Sequence, residues 1–320
     1  MATLAHKAKS LVIEQPIWLF VAACIVVFSL STEHFLDIGN FKNILVQTST
    51  IGLIALGLTF IMINGNIDLS VGAVLALAAC LAVDLQSSIG IPLAVTVGLL
   101  SGVVLGALNG LVVWKTGVDA FIVTLGAMIG VRGLVFVYTE EQSFYATDFA
   151  YADFGTSSIA GIPTLALLFV VLAALMHWIL SRSVHGRNTY AVGGNRQAAI
   201  DAGIRVGPHM VINFMIGGFF AALAGVTLST QMGAATPNLG RDFELWAITA
   251  IVLGGTKLTG GAGSIVGTLG GVIAIGILRN GMNLLQVPSF YVLVIMGTIL
   301  IAVLFIDRQV NRNAEQELNV

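Results

Sequence analysis

Ten apolar runs of near-membrane length occupy most of this chain. A helix that crosses the ~30 Å hydrocarbon core of a bilayer needs about 20 mostly apolar residues. We predict such spans at 17–31, 44–63, 69–86, 91–113, 119–137, 163–181, 211–230, 244–256, 264–280 and 288–306. A charged content of 9% and a mean hydropathy of +0.96 exclude a soluble enzyme, a disordered chain and a nucleic-acid binder. The sequence therefore predicts an all-α, polytopic transmembrane helical bundle that forms one domain over residues 1–320.

The segments between the spans carry Lys and Arg unevenly. Basic residues are retained on the cytoplasmic side when a membrane protein inserts. If the N-terminus is inside, most of the 14 basic residues are cytoplasmic: Lys7, Lys9, Lys115, Arg182, Arg187, Arg196, Arg205, Lys257, Arg308 and Arg312. The external residues are then Lys42, Arg241 and Arg279, and Arg132 lies within a span. This asymmetry predicts that both termini are cytoplasmic.

Residues 1–31 admit a second interpretation, as a cleaved signal peptide. Lys7 and Lys9 precede an apolar stretch, and the small residues Ser29 and Ser31 follow it. Glu14 and Pro16 interrupt the approach to that stretch, and cleavage would leave nine spans. An uncleaved first helix is therefore the simpler interpretation.

Two connecting segments are longer than turns. Residues 138–162 contain four acidic and no basic residues and are predicted to be a periplasmic loop. Residues 182–210 contain four Arg and two His and are predicted to be cytoplasmic. Neither segment is large enough for a catalytic domain, so the spans and these two loops must carry the function.

Glycine recurs at every fourth position in two of the spans. The rows are Gly98, Gly102, Gly106 and Gly110 on the fourth span, and Gly263, Gly267 and Gly271 on the ninth. Such rows let helix backbones approach closely in lipid, where no hydrophobic force drives association. We expect a closely packed bundle.

The sequence lacks the motifs of an enzyme. A phosphate-binding G-x-x-x-x-G-K-[ST] loop does not occur. The five His are scattered, and Cys24 and Cys80 lie inside apolar runs, so neither a nucleophile–base pair nor a metal-ligand set can be assembled from the pattern. We predict no catalytic residue, no metal and no cofactor in this chain, and any ATP and Mg²⁺ would be bound by another subunit.

Residues 64–72 join two apolar spans without a hydrophilic loop. A carboxylate beside hydrocarbon is costly and normally faces a cavity or a partner, which makes Asp68 a functional candidate. Alternatively, Asp68 is the N-cap of the third helix and accepts from the N–H of Ser70 or Val71. Both interpretations hold if a broken helix lines a path. The candidate path residues of this stretch are Asn64, Asn66, Asp68 and Ser70.

Other polar groups of the spans are also candidates. Arg132 either extends towards the outer interface or pairs with a buried carboxylate. Glu244 is either stabilised by the positive end of the eighth helix dipole or lines a cavity. Neutral groups such as Thr124, Asn109 and Asn280 suit an uncharged hydroxylated solute better than an ion, but they also hold helices together. The further candidate path residues are Thr124, Arg132, Glu244 and Asn280.

Residues 195–203 predict a short cytoplasmic helix. Asn195 can cap its start and Gly203 can end it. Its face is small, with Ala198, Ala199 and Ala202, and it lacks the large apolar anchors of a helix that lies on the membrane surface. We expect this helix to fit into a cleft of a partner protein.

Four stretches in the right order carry a family resemblance. They are 65–72 with I-D-L-S-V-G, 121–125 with Arg132 and Gly133, 186–204, and 253–268. On these residues the chain resembles the inner-membrane permease subunits of ATP-binding-cassette (ABC) importers for ribose and related sugars. The similarity runs through nearly the whole chain. It implies translocation of a sugar or sugar-like polyol across the bacterial inner membrane.

The resemblance also implies partners. They are a second permease copy in a homodimer, a cytoplasmic ATP-binding subunit that hydrolyses ATP, and a periplasmic solute-binding protein. The ATPase-coupling segment that it implies contains Gly186, Arg187, Tyr190, Gly193, Gly194, Asn195, Ala198, Ala199 and Gly203. The alternative function is an ion-coupled secondary transporter, in which Asp68 is the main candidate for the coupling carboxylate.

Two positions depart from the family pattern, and both change the polarity near the expected path. Asn66 stands where Gly is common, and Trp246 stands where an acidic residue is common. The stretches 55–82 and 248–276 resemble each other, because each has a Gly-rich bend between apolar runs. Such a similarity fits an internal repeat of the kind that transporters use.

Overall fold

The computed structural model describes residues 17–318, which form a bundle of helices with four two-residue strands. The helices are α1 (Ile17–Ser31), α2 (Ile38–Ile63), α3 (Val71–Asp84), α4 (Gln86–Ile89), α5 (Ile91–Thr116), α6 (Ala120–Thr139), α7 (Phe149–Thr156), α8 (Thr164–Arg182), α9 (Val184–Gly194), α10 (Arg196–Asp201), α11 (Val206–Met232), α12 (Phe243–Leu253), α13 (Ile265–Leu284) and α14 (Ser289–Leu318). The strands are β1 (Phe144–Tyr145), β2 (Ser158–Ile159), β3 (Ile162–Pro163) and β4 (Ala234–Ala235).

Each predicted span coincides with an apolar helix. Six helices are long and apolar enough to cross a membrane, judged by length and composition: α2, α5, α6, α8, α11 and α13. The other predicted spans correspond to shorter apolar helices, namely α1, α3, α12 and the segment Ser289–Ala302 of α14. The prediction of an all-α membrane bundle is confirmed, whereas ten crossings and two cytoplasmic termini stay predictions. Lys7, Lys9, Glu14 and Pro16 lie outside the described residues.

Helix α11 lies at the centre of the bundle and packs against α2, α3 and α5. Its contact with α5 uses the predicted glycine row of the fourth span. A Cβ on Gly102 would overlap the carbonyl oxygen of Gly218, and one on Gly106 would overlap that of Phe214. Glycine therefore sets the distance between these two helices, as expected for close packing in lipid.

The second glycine row needs a correction at its first member. Gly267 packs against Gly254, and Gly271 packs against the carbonyl oxygen of Ala250, so α12 and α13 touch through their backbones. Gly263, however, precedes α13 and has a φ of 152°. It belongs to the turn before the helix, because Ser264 is the N-cap and accepts from Gly267 N at 3.0 Å.

The predicted periplasmic loop at 138–162 has more structure than its polar sequence suggested. It contains α7, and its strand β1 pairs antiparallel with β4, which follows α11 almost 90 residues later. The hydroxyl of Tyr151 in α7 lies 2.6 Å from the Ser229 hydroxyl of α11. Burial of this side chain raises the pKa of Tyr151 to about 12. The loop is therefore fastened to the end of the central helix.

Candidate functional site

The bundle contains two breaks where one helix ends and the next begins after a short irregular segment. The first break is residues 64–70 between α2 and α3, and the second break is residues 254–264 between α12 and α13. At the first break Gly65 adopts a φ of 80°, and its N–H donates to Met62 O at 2.9 Å. This left-handed glycine ends α2 and turns the chain, because a residue with a Cβ would be strained there.

Asp68 is buried in the first break, with 1% of its surface exposed. Its Oδ1 accepts from the N–H of Ser70 at 2.8 Å and from the Ser70 hydroxyl at 2.6 Å. The hydrogen bond to Ser70 N is one that the capping interpretation predicts. Helix α3 nevertheless starts at Val71, so the N-cap position belongs to Ser70 and Asp68 lies two residues before it.

Two neighbouring helices complete a group that we call the central polar cluster: Asp68, Ser70, Asn109 and Thr124. Asn109 Nδ2 of α5 donates to the Ser70 hydroxyl at 2.9 Å. Thr124 Oγ1 of α6 accepts from Leu69 N at 3.1 Å and donates to Ala120 O at 2.8 Å. The structure thus brings three predicted path residues together and adds Asn109, whose partner the sequence pattern did not reveal.

A cavity of about 390 Å³ begins at Met128, one turn of α6 beyond Thr124, and we call it the Arg132 cavity. Its lining residues are Met128, Ile129, Arg132, Phe136, Asn238, Arg241, Asp242 and Glu244. Arg132 Nη1 donates to Pro237 O at 2.6 Å and to Leu239 O at 2.9 Å, so the guanidinium holds the segment before α12. Glu244 is buried in the first turn of α12, and a Cβ on Gly72 would overlap its carboxylate.

Neither prediction for Arg132 describes its contacts fully. The side chain binds backbone carbonyls, and among the described residues it forms no ion pair, because the salt bridge found there joins His34 and Asp37. Glu244 combines both of its predicted settings, since it lies in the first turn of a helix and also lines a cavity.

The predicted asparagine path residues lie away from the central polar cluster. Asn64 is buried at the end of α2, and neither side-chain polar atom has a partner within residues 17–318. Asn66 lines a separate cavity of about 400 Å³ together with Asp119 and Arg196. Asn280 exchanges two hydrogen bonds with Asn40, at 3.0 and 2.7 Å, so its amide joins α13 to α2.

The predicted coupling segment contacts both breaks through glycine. A Cβ on Gly193, near the end of α9, would overlap Ile63 O and Gly261 N. Gly261 N donates to Ile63 O at 2.8 Å, and Gly260 packs on Gly65. We call this meeting of backbones the glycine junction: Gly65, Gly193, Gly194, Gly260 and Gly261.

Other residues of the coupling segment hold α9 in position. The Tyr190 hydroxyl donates to Gly263 O in the second break at 2.8 Å. Gly186 packs on the Leu180 carbonyl where α8 ends, and exposed Arg187 reaches Arg182 O.

The predicted helix over 195–203 is present but shorter, as α10. Asn195 caps it by accepting from Ala198 N at 2.9 Å, and Gly203 ends it with a φ of 83°. The predicted small face requires a correction, because Ala199 is buried against Val192 and Val206 of the same chain. Ala198 and Ala202 are exposed. The small face that a partner would meet therefore excludes Ala199.

The histidines are less scattered than the sequence suggested. His185 of α9 and His209 of α11 have ring centroids 4.4 Å apart. His185 Nε2 donates to Asn213 Oδ1 at 2.8 Å, and burial lowers the pKa of the His185 imidazole. Within residues 17–318, no three His, Cys, Asp or Glu side chains form a group that could hold a metal ion. The pair serves to join the coupling segment to the central helix.

Arg279, which we counted among the external residues, also falls in the predicted span 264–280. It lies within α13, and its guanidinium is 3.5 Å from the centroid of the Trp246 ring. Trp246 itself stacks on Phe243 of the same helix. The tryptophan that departs from the family pattern thus supplies an aromatic face to a cation.

Comparison with known proteins gives one family and many relatives. Residues 40–304 match the family described as branched-chain amino acid transport system / permease component. The chain is 42% identical over 292 residues to the ribose import permease protein RbsC of Bacillus subtilis (strain 168), covering 89% of each chain. It is 39% identical to the D-allose transport system permease protein AlsC of Escherichia coli (strain K12), covering 92% of this chain and 91% of the relative.

The name of a third relative specifies a different sugar. The chain is 35% identical to the L-arabinose transport system permease protein AraH of Escherichia coli (strain K12), over 91% of this chain and 87% of the relative. No solved structure matches the chain.

Proposed function

The chain belongs to the family of ABC-importer permease components, and from this premise we propose that it translocates a sugar or sugar-like polyol across the bacterial inner membrane. In this proposal the chain crosses the membrane ten times with both termini in the cytoplasm. It pairs with a second copy of itself and binds no metal or cofactor. A separate cytoplasmic subunit binds ATP and Mg²⁺ and hydrolyses the ATP, while a periplasmic binding protein delivers the solute.

The observation that carries this proposal is the glycine junction. It puts the backbone of α9 against Ile63 O and Gly261 N, so a displacement of the coupling segment must move both breaks. Because main-chain atoms cannot rotate out of the way as side chains do, such a contact transmits movement with little loss. This is the mechanical link that a permease without its own ATPase site requires.

We assign the translocation path to the central polar cluster and the Arg132 cavity. The cluster combines the Asp68 carboxylate with the hydroxyls of Ser70 and Thr124 and the amide of Asn109. Hydroxyl and amide groups exchange hydrogen bonds with an uncharged polyol in both directions, as donor and as acceptor. We leave Asn280 out of the assigned path, because its hydrogen bonds join α13 to α2 and it shares none with the central polar cluster.

The coupling assignment is tested by adding bulk to the exposed face of α10. Ala198→Trp places a large side chain where the ATPase subunit must fit, and overpacking a fitted contact costs about 1–3 kcal/mol, or roughly fivefold to more than a hundredfold in association. We expect the variant to insert normally, to lose the ATPase subunit on purification and to lose sugar uptake. Ala150→Trp, at an exposed position of α7 in the other loop, is the matched control and should retain that subunit.

Full retention of the ATPase subunit by Ala198→Trp, with normal solute-stimulated ATP hydrolysis, would contradict the assignment. Ala199→Trp does not serve as the test, because its side chain would disrupt the packing of α10 itself. Uptake of ribose, allose, arabinose and leucine by vesicles that contain the whole importer identifies the substrate class. An ion-coupled secondary transporter would instead accumulate solute without ATP.

A further inference from the structure

Two imidazole rings lie between the coupling segment and the central helix, and we call them the histidine pair: His185 of α9 and His209 of α11. Their rings are tilted by 47° with centroids 4.4 Å apart. Phe60 of α2 stacks on the His185 ring at a centroid distance of 6.2 Å. His209 is buried and His185 is half-buried. The histidine pair therefore lies where α2, α9 and α11 meet.

Asn213 of α11 determines which ring nitrogens carry protons. It is fully buried, and its Oδ1 accepts from His185 Nε2 at 2.8 Å. Its Nδ2 lies 3.4 Å from His209 Nε2, and the Thr189 hydroxyl of α9 lies 3.1 Å from the same ring nitrogen. An amide nitrogen donates and does not accept, so a proton on His209 Nε2 would face a donor. The arrangement therefore fits two neutral imidazoles.

The charges around the histidine pair do not favour a proton on either ring. Within residues 17–318, neither ring forms an ion pair. The carboxylates at this end of the bundle are engaged elsewhere: Asp68 accepts from Ser70, Asp119 caps α6, and Asp201 accepts from Gln197. The other titratable side chains at this end are basic apart from a tyrosine: Lys115, His177, Arg182, Arg187, Tyr190, Arg196, Arg205 and Lys257. A proton on the pair would thus lack a compensating negative charge.

The docked position of α9 therefore favours neutral rings, and its stability depends on pH. Burial lowers the pKa of His185 from its ordinary value of about 6.5. A base whose pKa is lowered in the docked state binds fewer protons there than in the released state, so docking is favoured at high pH. This contribution is complete at neutral pH and is lost as the pH falls below about 6.5.

We propose that the histidine pair is an acid-sensitive latch, in which protons that enter the pair release α9 from the central helix and stop sugar import. The inference rests on the proposed function, because it regulates the coupling segment of that importer. Gly193 lies eight residues after His185 on the same helix, about two turns away. Release of α9 would withdraw Gly193 from Ile63 O and Gly261 N at the glycine junction. Acid in the cytoplasm would thus interrupt the link between the ATPase subunit and both breaks.

The first test measures release of α9 in the purified full-length chain in detergent. Cys24 and Cys80 are replaced by Ala, and Val192→Cys places a thiol on the buried side of α9. Ala191→Cys, at an exposed position of the same helix, is the control. The ratio of their labelling rates with N-ethylmaleimide removes the pH dependence of thiolate formation. Between pH 7.5 and 5.5 this ratio should rise by about tenfold for each imidazole that takes up its proton on release. An unchanged ratio would overturn the inference.

Variants of the pair separate titration from packing. His185→Gln combined with His209→Gln keeps hydrogen-bonding side chains that do not titrate, so the labelling ratio should no longer change with pH. His177→Gln, at an exposed position of α8, is the matched control and should retain the wild-type response. Asn213→Asp should act in the opposite direction, because a carboxylate beside His185 Nε2 favours the protonated ring and should reduce release by acid. Equal acid responses of the wild type and the double Gln variant would overturn the inference.

The second test uses vesicles that contain the whole importer, with the ATPase side buffered at pH 7.5 or 5.5. Relative to its value at pH 7.5, sugar uptake at pH 5.5 should fall further in the wild type than in the double Gln variant. Equal relative losses would overturn the inference and leave the proposed function standing. Absence of sugar uptake by the wild type at pH 7.5 would contradict the proposed function, and the labelling ratio would then decide alone whether acid releases α9.

Discussion

The two breaks share a geometry but differ in chemistry. Each follows a helix, turns at a glycine with positive φ, and contacts the coupling segment at the glycine junction. Each also contains a buried polar side chain without a partner in the described part of the chain, Asn64 in the first break and Thr256 in the second. This similarity agrees with the resemblance between 55–82 and 248–276 in the sequence.

Only the first of the two breaks contains an ionisable side chain that is buried. Asp68 lies there within the central polar cluster, whereas the second break has glycines and the neutral cap Ser264. Both breaks thus contain a glycine with positive φ and a side chain that accepts a hydrogen bond at the start of the next helix. The turn of the second break forms without a buried carboxylate. The comparison separates the mechanical role that we propose for both breaks from the solute contact that we propose for one of them.

The largest effect on sugar uptake should come from Gly193, whose backbone contacts both helix breaks. Gly193→Ala would drive a Cβ into Ile63 O and Gly261 N, and overpacking of this kind costs about 1–3 kcal/mol even where side chains can move. Here the obstacles are main-chain atoms, so we expect uptake to be abolished. Gly194→Ala is the matched control, because a Cβ there meets nothing within 4 Å. Equal uptake by the two variants would show that the junction carries no movement.

An intermediate effect on uptake should distinguish the side chains that accept a hydrogen bond at the start of α3 and of α13, Asp68 and Ser264. Asp68→Ala leaves the N–H and the hydroxyl of Ser70 without their acceptor, at about 1–3 kcal/mol for a buried unsatisfied group. Ser264→Ala loses one cap hydrogen bond to Gly267, at about 0.5–2 kcal/mol. We expect Ser264→Ala to lower the unfolding temperature in detergent but to retain uptake, and Asp68→Ala to lower both.

Asp68→Asn refines this comparison. It keeps an oxygen that accepts from Ser70 N but removes the charge, so uptake should fall less than in Asp68→Ala while the ATPase subunit stays bound. Wild-type uptake by both Asp68 variants would show that the residue acts neither as a cap nor in the path.

Features that depend on neighbouring residues were predictable from the sequence. The apolar runs located every helix of span length, and glycine with adjacent capping residues located the first break and both ends of α10. The helix ends were less accurate: α2 starts at Ile38 and not at 44, because Asn40 and Lys42 continue the helix beyond its apolar run. Hydropathy measures which residues enter lipid, and polar first turns are outside that measure.

Features that depend on distant residues could not be predicted. Three contacts join residues that lie between 24 and 91 positions apart in the sequence. They are the pairing of β1 with β4, the contact of His185 with His209 and the stacking of Arg279 on Trp246. The orientation of Ala199 was missed for another reason. Helix α10 has six residues, with small side chains on both sides, so its sequence contains no periodicity that identifies the buried face.

The smallest effect on sugar uptake should come from a polar pair that lies in neither break. This pair measures what a purely structural contact contributes to stability. Asn40 and Asn280 satisfy each other, so Asn280→Leu alone leaves a buried amide at Asn40 with one partner fewer, at about 1–3 kcal/mol. Replacing both by Leu removes the unsatisfied group, which makes the double variant nearly as stable as the wild type. The sugar concentration that gives half-maximal uptake should be unchanged in both variants, because neither residue faces the central polar cluster or the Arg132 cavity. A shift in that concentration for the stable double variant would return Asn280 to the path and would mean that polar groups outside the breaks contact the solute.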